Sequence, residues 1–104
     1  MTQTQTNMEV AQTILAQLGG NKFIAMTGSK NFGAGENYLS MKLTRNKIQA
    51  QYLTITLNSM DTYDMTFFSV DKQFNRKTKA SVEGVYCDML QDIFTQYTGL
   101  YTHL

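Results

Sequence analysis

The stretch Tyr52-Leu53-Thr54-Ile55-Thr56-Leu57 decides the fold. Its aliphatic side chains recur at every second position, and tyrosine or threonine occupies the positions between them. Because successive side chains of a strand point to opposite faces, this alternation is typical of a strand with one buried and one exposed face. Threonine and isoleucine, which branch at Cβ, favour the same conformation. We therefore predict a strand over residues 48–57.

Three further segments have strand character. Residues 38–43 alternate in the same way, residues 62–70 are rich in β-forming side chains, and residues 23–27 form a short apolar run between glycines. Residues 28–37 are dense in glycine and asparagine, which predicts a loop. Short connections favour antiparallel neighbours, so we predict a four-stranded antiparallel meander. The pattern leaves open whether residues 72–79 form a loop or a further strand.

Amphipathic segments flank the predicted strands. Apolar residues recur at helical spacing over residues 7–18, before Gly19 and Gly20, and again from the N-cap candidate Ser81 to Gly99. These helices are the cover that one face of the sheet requires. The predicted fold class is α+β, ordered α-β-β-β-β-α, with the N- and C-terminal helices on one face of the sheet. Residues 1–6 have no apolar anchor, which predicts a disordered tail before a single domain over residues 7–104.

Composition limits the class of protein. With 104 residues, 42% hydrophobic and 16% charged content and a net charge of +1, the chain suits one compact domain without the basic excess of a DNA-packaging protein. The single cysteine, Cys87, excludes an internal disulfide and a multi-cysteine metal site. Uncharged apolar runs are far shorter than the roughly 20 residues that cross a bilayer. Residues 1–7 lack the features of a secretion signal. We expect a soluble, cytoplasmic protein with no membrane role.

The residues that could support catalysis are scattered. His103 stands next to the C-terminal residue, Cys87 has no adjacent base, and Asp88 and Asp92 fall on the polar side of the last predicted helix. The glycines of residues 28–35 have no following lysine or helix, as a phosphate-binding loop requires. A small hydrolase would need these distant groups to converge. We therefore predict that the protein is not an enzyme and has no catalytic residue, cofactor or metal site.

Charge is distributed unevenly along the chain. Residues 22–47 carry five basic side chains and one acid, whereas residues 58–71 and 80–104 each have three acids and no lysine or arginine. Residues 72–79 carry four basic side chains and no acid. If the meander brings the basic segments together, they form a positive rim suited to phosphates or to an acidic protein. We predict that this rim consists of Arg45, Lys47, Lys72, Arg76, Lys77 and Lys79.

Aromatic residues extend the predicted binding surface. Tyr38 and Tyr52 lie on strand faces opposite their aliphatic neighbours, and Phe68 is a possible companion. Exposed rings flanked by lysine and arginine stack single-stranded bases in several binding modules. The same rings could instead fill the second face of the sheet or a dimer contact. Lys30 and Phe32, at the tip of the predicted loop, are further contact candidates.

Three segments carry a resemblance to a known group of proteins. They are Leu18-Gly-Gly-Asn-Lys-Phe-Ile-Ala-Met-Thr-Gly28, Ile55-Thr-Leu-Asn-Ser-Met-Asp-Thr-Tyr63, and Leu90-Gln-Asp-Ile-Phe-Thr95 with Thr98-Gly-Leu-Tyr-Thr102. They resemble small uncharacterised proteins encoded by tailed bacteriophages and related mobile elements. The resemblance implies a phage or mobile-element origin, in the cytoplasm of a host cell. Short accessory proteins of that origin bind host nucleic acid, replication machinery or defence proteins.

Two hypotheses follow. The first is a non-catalytic accessory protein that engages nucleic acid, or a host protein that handles it or acts in defence, through the basic rim and the aromatic sheet face. The second is a self-assembling structural or scaffold component that pairs a sheet edge or face with its own copy and has no nucleic-acid role.

Overall fold

Five strands and three helices make up the protein in its computed structural model, which describes residues 2–102, with side chains from Glu9 onward. His103 and Leu104 lie outside the described residues. A short 3₁₀ helix, Cys87–Met89, precedes the last helix. The elements, in chain order, are α1 (Thr2–Leu18), α2 (Gly20–Thr27), β1 (Lys30–Ala34), β2 (Tyr38–Lys42), β3 (Tyr52–Leu57), β4 (Tyr63–Val70), β5 (Arg76–Val85) and α3 (Leu90–Thr98).

The strands form one antiparallel sheet in the order β1-β2-β3-β4-β5. Each strand pairs only with its neighbours in sequence, as short connections between antiparallel strands require. In the centre, Leu39 of β2 lies opposite Ile55 of β3, which lies opposite Met65 of β4. The α+β class and the meander are confirmed, but the sheet has five strands where we predicted four.

The helices pack against one face of this sheet. Ile14 and Leu18 of α1 and Phe94 of α3 are fully buried, in one cluster with the alternate apolar residues of β2, β3 and β4. Phe23 of α2 meets Phe94 edge to face, with ring centroids 5.0 Å apart. Burying each large apolar side chain contributes about 1.5–3 kcal/mol, so this layer is a major favourable contribution to folding.

Residues 23–27, which we predicted to be a strand, belong to the helix α2. Gly19 and Gly20 adopt positive φ values of 125° and 60°, which lets the chain turn between α1 and α2. Phe23 and Thr27, four residues apart, are both buried, and the Thr27 hydroxyl donates to the Phe23 carbonyl at 2.8 Å. A short apolar run fits a buried helix as well as a strand, and here helical packing prevails.

The predicted loop over residues 28–37 contains the strand β1. It pairs with β2 through a bulge between Lys30 and Gly33, where Asn31 has a φ of 54°. A Cβ at Gly33 would lie 2.8 Å from Ser40 Oγ, so a larger residue there would require the Ser40 side chain to move. The turn-forming residues therefore mark an irregular edge strand, and not a loop.

The last predicted helix is also partly strand. β5 extends to Val85, and α3 begins only at Leu90. Val82 and Val85 stand three apart, which fits a helix face, but both are drawn onto the helix-covered side of the sheet opposite Met65 and Tyr63. A bulge allows this spacing, with Gly84 at a φ of 69°. Residues 72–79 are thus a turn followed by the start of a strand.

The first helix begins at Thr2, five residues before the predicted start. Its first turns therefore fall within the segment that we predicted to be a disordered tail. The chain has no proline, and its first glycine is Gly19, so no strong helix breaker stands before that residue.

Candidate functional site

We call the sheet face opposite the helices the open face; most of its side chains on β2, β3 and β4 are half-buried. Its side chains alternate with the buried ones: Thr66 is half-buried between the fully buried Met65 and Phe67. The sequence pattern predicted this alternation. In β2, β3 and β4 the open face consists of Tyr38, Ser40, Lys42, Tyr52, Thr54, Thr56, Asp64, Thr66, Phe68 and Val70.

Three side chains stack across the open face, and we call them the aromatic ladder. Tyr52 of β3 lies directly opposite Phe68 of β4, and their rings stack with centroids 5.4 Å apart and planes at 23°. Arg76 of β5 places its Cζ 3.7 Å from the centroid of the Phe68 ring. Aromatic pairs contribute about 0.5–1.5 kcal/mol beyond burial, and an exposed cation–π contact about 0.5–1 kcal/mol. The contacts hold the Arg76 guanidinium over the Phe68 ring, which in turn stacks on Tyr52.

Lysines continue the row on the other side of the ladder. Lys42 lies opposite Tyr52, and Lys30 of β1 lies opposite Lys42. Directly opposed residues of antiparallel strands project to the same face. At a strand spacing of about 4.8 Å, a row across the sheet from β1 to β5 is roughly 19 Å wide. In this row the β5 residue opposite Phe68 is Thr78, and Arg76 lies two residues away, opposite Val70, from where it reaches the Phe68 ring. The open face therefore carries two lysines on one side of the ladder and Arg76 on the other.

Lys42 was absent from our predicted site, although a signal for it was present. It shares strand parity with Tyr38 and Ser40, the exposed positions of β2. What the pattern could not supply is the register that places Lys42 beside Tyr52.

The turn between β4 and β5 displays a second residue that the prediction missed, Phe74. Its side chain is 86% exposed, the most exposed of the large hydrophobic residues of the described chain. Its φ of 65° lies in the left-handed region, which bulky residues rarely adopt. The available signal was a lone apolar residue within a polar, basic segment. Lys72, a predicted rim residue, is exposed in the same turn.

The basic rim is only partly assembled. The β2–β3 loop, which carries Arg45, reaches the end of β4, because Gln51 N–H donates to the Phe68 carbonyl at 3.0 Å and the Ser69 hydroxyl to the Gln49 carbonyl at 2.9 Å. The loop therefore lies at the same end of the sheet as the β4–β5 turn. Arg45 itself is exposed.

Lys47, a predicted rim residue, contacts the C-terminal end of α3. Its Nζ donates to the Gln96 carbonyl at 2.9 Å, and its backbone N–H donates to the Thr98 carbonyl at 2.9 Å. A cation at the last carbonyls of a helix is favourable because those groups carry partial negative charge. Lys47 thus fastens the β2–β3 loop to the C-terminal end of α3.

The predicted basic residues of β5 do not share one face of the sheet. Lys77 lies opposite Ser69, on the side of the sheet where the helices pack, whereas Arg76 lies on the open face. Lys79 occupies the extra position of a bulge between the pairs Phe68–Thr78 and Phe67–Ala80. Alternation along a strand separates neighbouring cations onto two faces, so Arg76 alone of this group joins the ladder.

Tyr38 and Phe32, the other predicted aromatic contact residues, are not part of the aromatic ladder. Tyr38 lies on the open face and is 37% exposed, and its ring covers Gly35, where a Cβ would lie 2.0 Å from Tyr38 Cε2. Phe32 belongs to the other side of the sheet. It lines a cavity of 440 Å³ together with Leu15 of α1 and Leu39 of β2.

The residues that could support catalysis or hold a metal lie as follows. Cys87 is an exposed free thiol, and His103 lies outside the described residues. Residues 2–102 contain no cluster of three or more histidine, cysteine, aspartate or glutamate side chains that could hold a metal. Asp64, an acid on the open face, accepts hydrogen bonds from Asn58 Nδ2 and the Gly84 N–H at 3.0 and 3.2 Å. The absence of enzyme activity and of a cofactor stays a prediction.

Comparison with known proteins gave no match to a protein family, to a curated protein or to a solved structure. Within the described part of the chain, no helix is long and apolar enough to span a membrane. The case for function therefore depends on the chemistry of the open face.

Proposed function

We propose that this protein is a non-catalytic accessory protein of phage type that binds single-stranded nucleic acid across its open face. The observation that carries the proposal is the aromatic ladder of Tyr52, Phe68 and Arg76, with Lys42 and Lys30 continuing its row. Rings flanked by cations match a ligand whose bases project from a backbone of negatively charged phosphates.

Each part of the row has a chemical role. Base stacking on an aromatic side chain is worth about 1–3 kcal/mol and tolerates any base, because every base has a π face. The guanidinium of Arg76, held over Phe68, offers one face to a base and its N–H groups to a phosphate. Lys30 and Lys42 supply point charges for phosphates at the other end.

The shape of the surface favours a single strand over a duplex. α1, α2 and α3 contribute to the core on the opposite side of the sheet, so none of them is placed to enter a major groove from the open face. Bases in a duplex are stacked on one another, and their π faces cannot reach Tyr52. The unstacked bases of a single strand can reach it.

A protein that handles nucleic acid, or a defence protein, is the other partner compatible with this surface. Self-assembly through sheet edges has less support. β1 is five residues long and bulged, and β5 carries Arg76, Lys77 and Lys79 at its exposed start. Short, bulged or like-charged edges discourage pairing with a second copy. Light scattering over a wide concentration range tests this: a concentration-dependent oligomer would favour the scaffold hypothesis.

The binding experiment uses a fluorescein-labelled oligothymidylate and its duplex with oligoadenylate, followed by fluorescence anisotropy at low and high salt. We expect the single strand to bind at low salt, and binding to weaken as salt rises because phosphate contacts release counterions. Arg76→Gln should reduce the slope of log affinity against log salt by roughly 0.7, the value for one phosphate contact on a single strand. Lys22→Gln, in α2, is the matched control and should leave the slope unchanged. Absence of single-strand binding at low salt would overturn the proposal.

A further inference from the structure

Phe74 stands out among the residues that the aromatic ladder does not include. Its ring is 86% exposed at the tip of the β4–β5 turn, and its backbone has a φ of 65°. Water disfavours an exposed ring, and a bulky side chain disfavours this φ value. Phe74 therefore combines an unfavourable exposed ring with an unfavourable backbone conformation.

Hydrogen bonds hold the turn in this conformation. Asp71 Oδ1 accepts from the backbone N–H groups of Gln73 and Asn75 at 2.8 and 2.9 Å. The backbone closes the same turn, because Phe74 N–H donates to the Asp71 carbonyl at 3.0 Å and Asp71 N–H to the Asn75 carbonyl at 3.1 Å. The ring is therefore displayed by a turn with four internal hydrogen bonds.

The turn adjoins one end of the open face. Phe74 precedes Arg76 by two residues, and Arg76 lies opposite Val70 at the last pair of β4 and β5. A single-stranded nucleic acid that passes Arg76 and continues along this hairpin would next reach the β4–β5 turn. Lys72, in the same turn, adds a positive charge there.

We propose that Phe74 stacks against a base of the same single strand, immediately beyond Arg76; this rests on the proposed function. The size and surroundings of the ring favour a base over other partners. A single ring is sufficient to stack one base, whereas Gln73 and Asn75 on either side leave little apolar area for a bilayer or a protein pocket. The neighbouring cations complement the phosphates that accompany the base.

The test compares wild-type protein with Phe74→Asn in oligothymidylate binding at several salt concentrations. Asparagine tolerates a positive φ, so the turn is retained, and circular dichroism checks the fold. Stacking on one base predicts an affinity at least about fivefold lower for Phe74→Asn, with an unchanged salt slope. Phe74→Gly, which removes the backbone strain as well as the ring, should lose affinity equally. Tyr86→Asn, an exposed ring beyond the other end of β5, is the matched control and should bind as wild type does.

The outcomes separate this inference from the proposed function. Equal affinity of the wild type and both Phe74 variants would overturn the role of Phe74 and leave the ladder as the binding site. If wild-type protein does not bind the oligonucleotide, both proposals fail. A parallel assay measures binding to vesicles that contain phosphatidylserine. If the Phe74 substitutions weaken vesicle binding but leave oligonucleotide affinity unchanged, the β4–β5 turn binds membranes and the inference is overturned.

Discussion

The Cζ atom of Arg76 lies 3.7 Å from the centroid of the Phe68 ring, and Phe68 in turn stacks on Tyr52. These contacts link side chains of three strands on the face opposite the helices. A long, flexible arginine loses much side-chain entropy when a partner must order it. Here the ring orders the guanidinium in advance, which favours binding of an anionic ligand.

A double-mutant cycle measures this contact. Arg76→Gln and Phe68→Leu should show a coupling of about 0.5–1 kcal/mol in the free energy of urea unfolding, as expected for an exposed cation–π pair. Pairing Phe68→Leu with Lys22→Gln serves as the control and should show no coupling. Purely additive losses in the Arg76 cycle would mean that the contact does not stabilise the protein.

Asp71 should make the β4–β5 turn sensitive to acid. The N–H of Asn75, with further hydrogen bonds from this turn, lowers the pKa of the Asp71 carboxyl below its ordinary value. The stability that results is present above the unfolded-state pKa, about 3.9, and is lost as pH falls through the lower folded-state value. Wild type should therefore exceed Asp71→Asn in thermal stability at pH 7, by a margin that shrinks below about pH 4. A margin unchanged down to pH 2 would contradict this role.

Phe23 is the side chain that should make α2 part of the core. Its ring is fully buried and contacts Phe94 at a centroid distance of 5.0 Å. Phe23→Ala should lower the free energy of unfolding by about 3–5 kcal/mol in urea titrations, as is usual for a buried ring replaced by alanine. The neighbouring exposed Lys22→Ala should change it by less than about 0.5 kcal/mol. Similar small losses in both variants would show that α2 packs loosely.

Lys47 should affect stability without affecting binding. Lys47→Ala removes the hydrogen bond to the Gln96 carbonyl and a cation at the end of α3, which should cost about 0.3–1 kcal/mol in urea unfolding. Oligonucleotide affinity and its salt slope should stay at wild-type values. The opposite result, a normal stability with a reduced salt slope, would return Lys47 to the binding surface.

The central strands could be predicted from sequence because β2 and β3 alternate between apolar and polar residues, and β4 does so as far as Phe67. β2, β3 and β4 bury one set of side chains under the helices, and their burial pattern follows the sequence pattern. The edges could not be predicted. At β5, Val82 and Val85 satisfy a helical spacing, and only a bulge at Gly84 brings both onto the same side of the sheet.

For the candidate site, too, the face on which a side chain lies could be predicted, but its neighbours on other strands could not. Tyr52 and Phe68 were predicted on exposed strand faces because local alternation determines which face a side chain takes. Their stacking depends on the register between β3 and β4, which is a property of the pairing. The same is true of Lys42, which was missed, and of Lys47, whose partners lie about fifty residues away along the chain.

The order of the strands has a consequence for folding kinetics. Every strand pairs with the next one along the chain, so the sheet requires only hairpin closures with small entropic cost. The chain also has no proline, which removes prolyl isomerisation, a process of tens of seconds, as a rate-limiting event. Refolding followed by stopped-flow fluorescence should therefore be complete well within a second, with no slow phase.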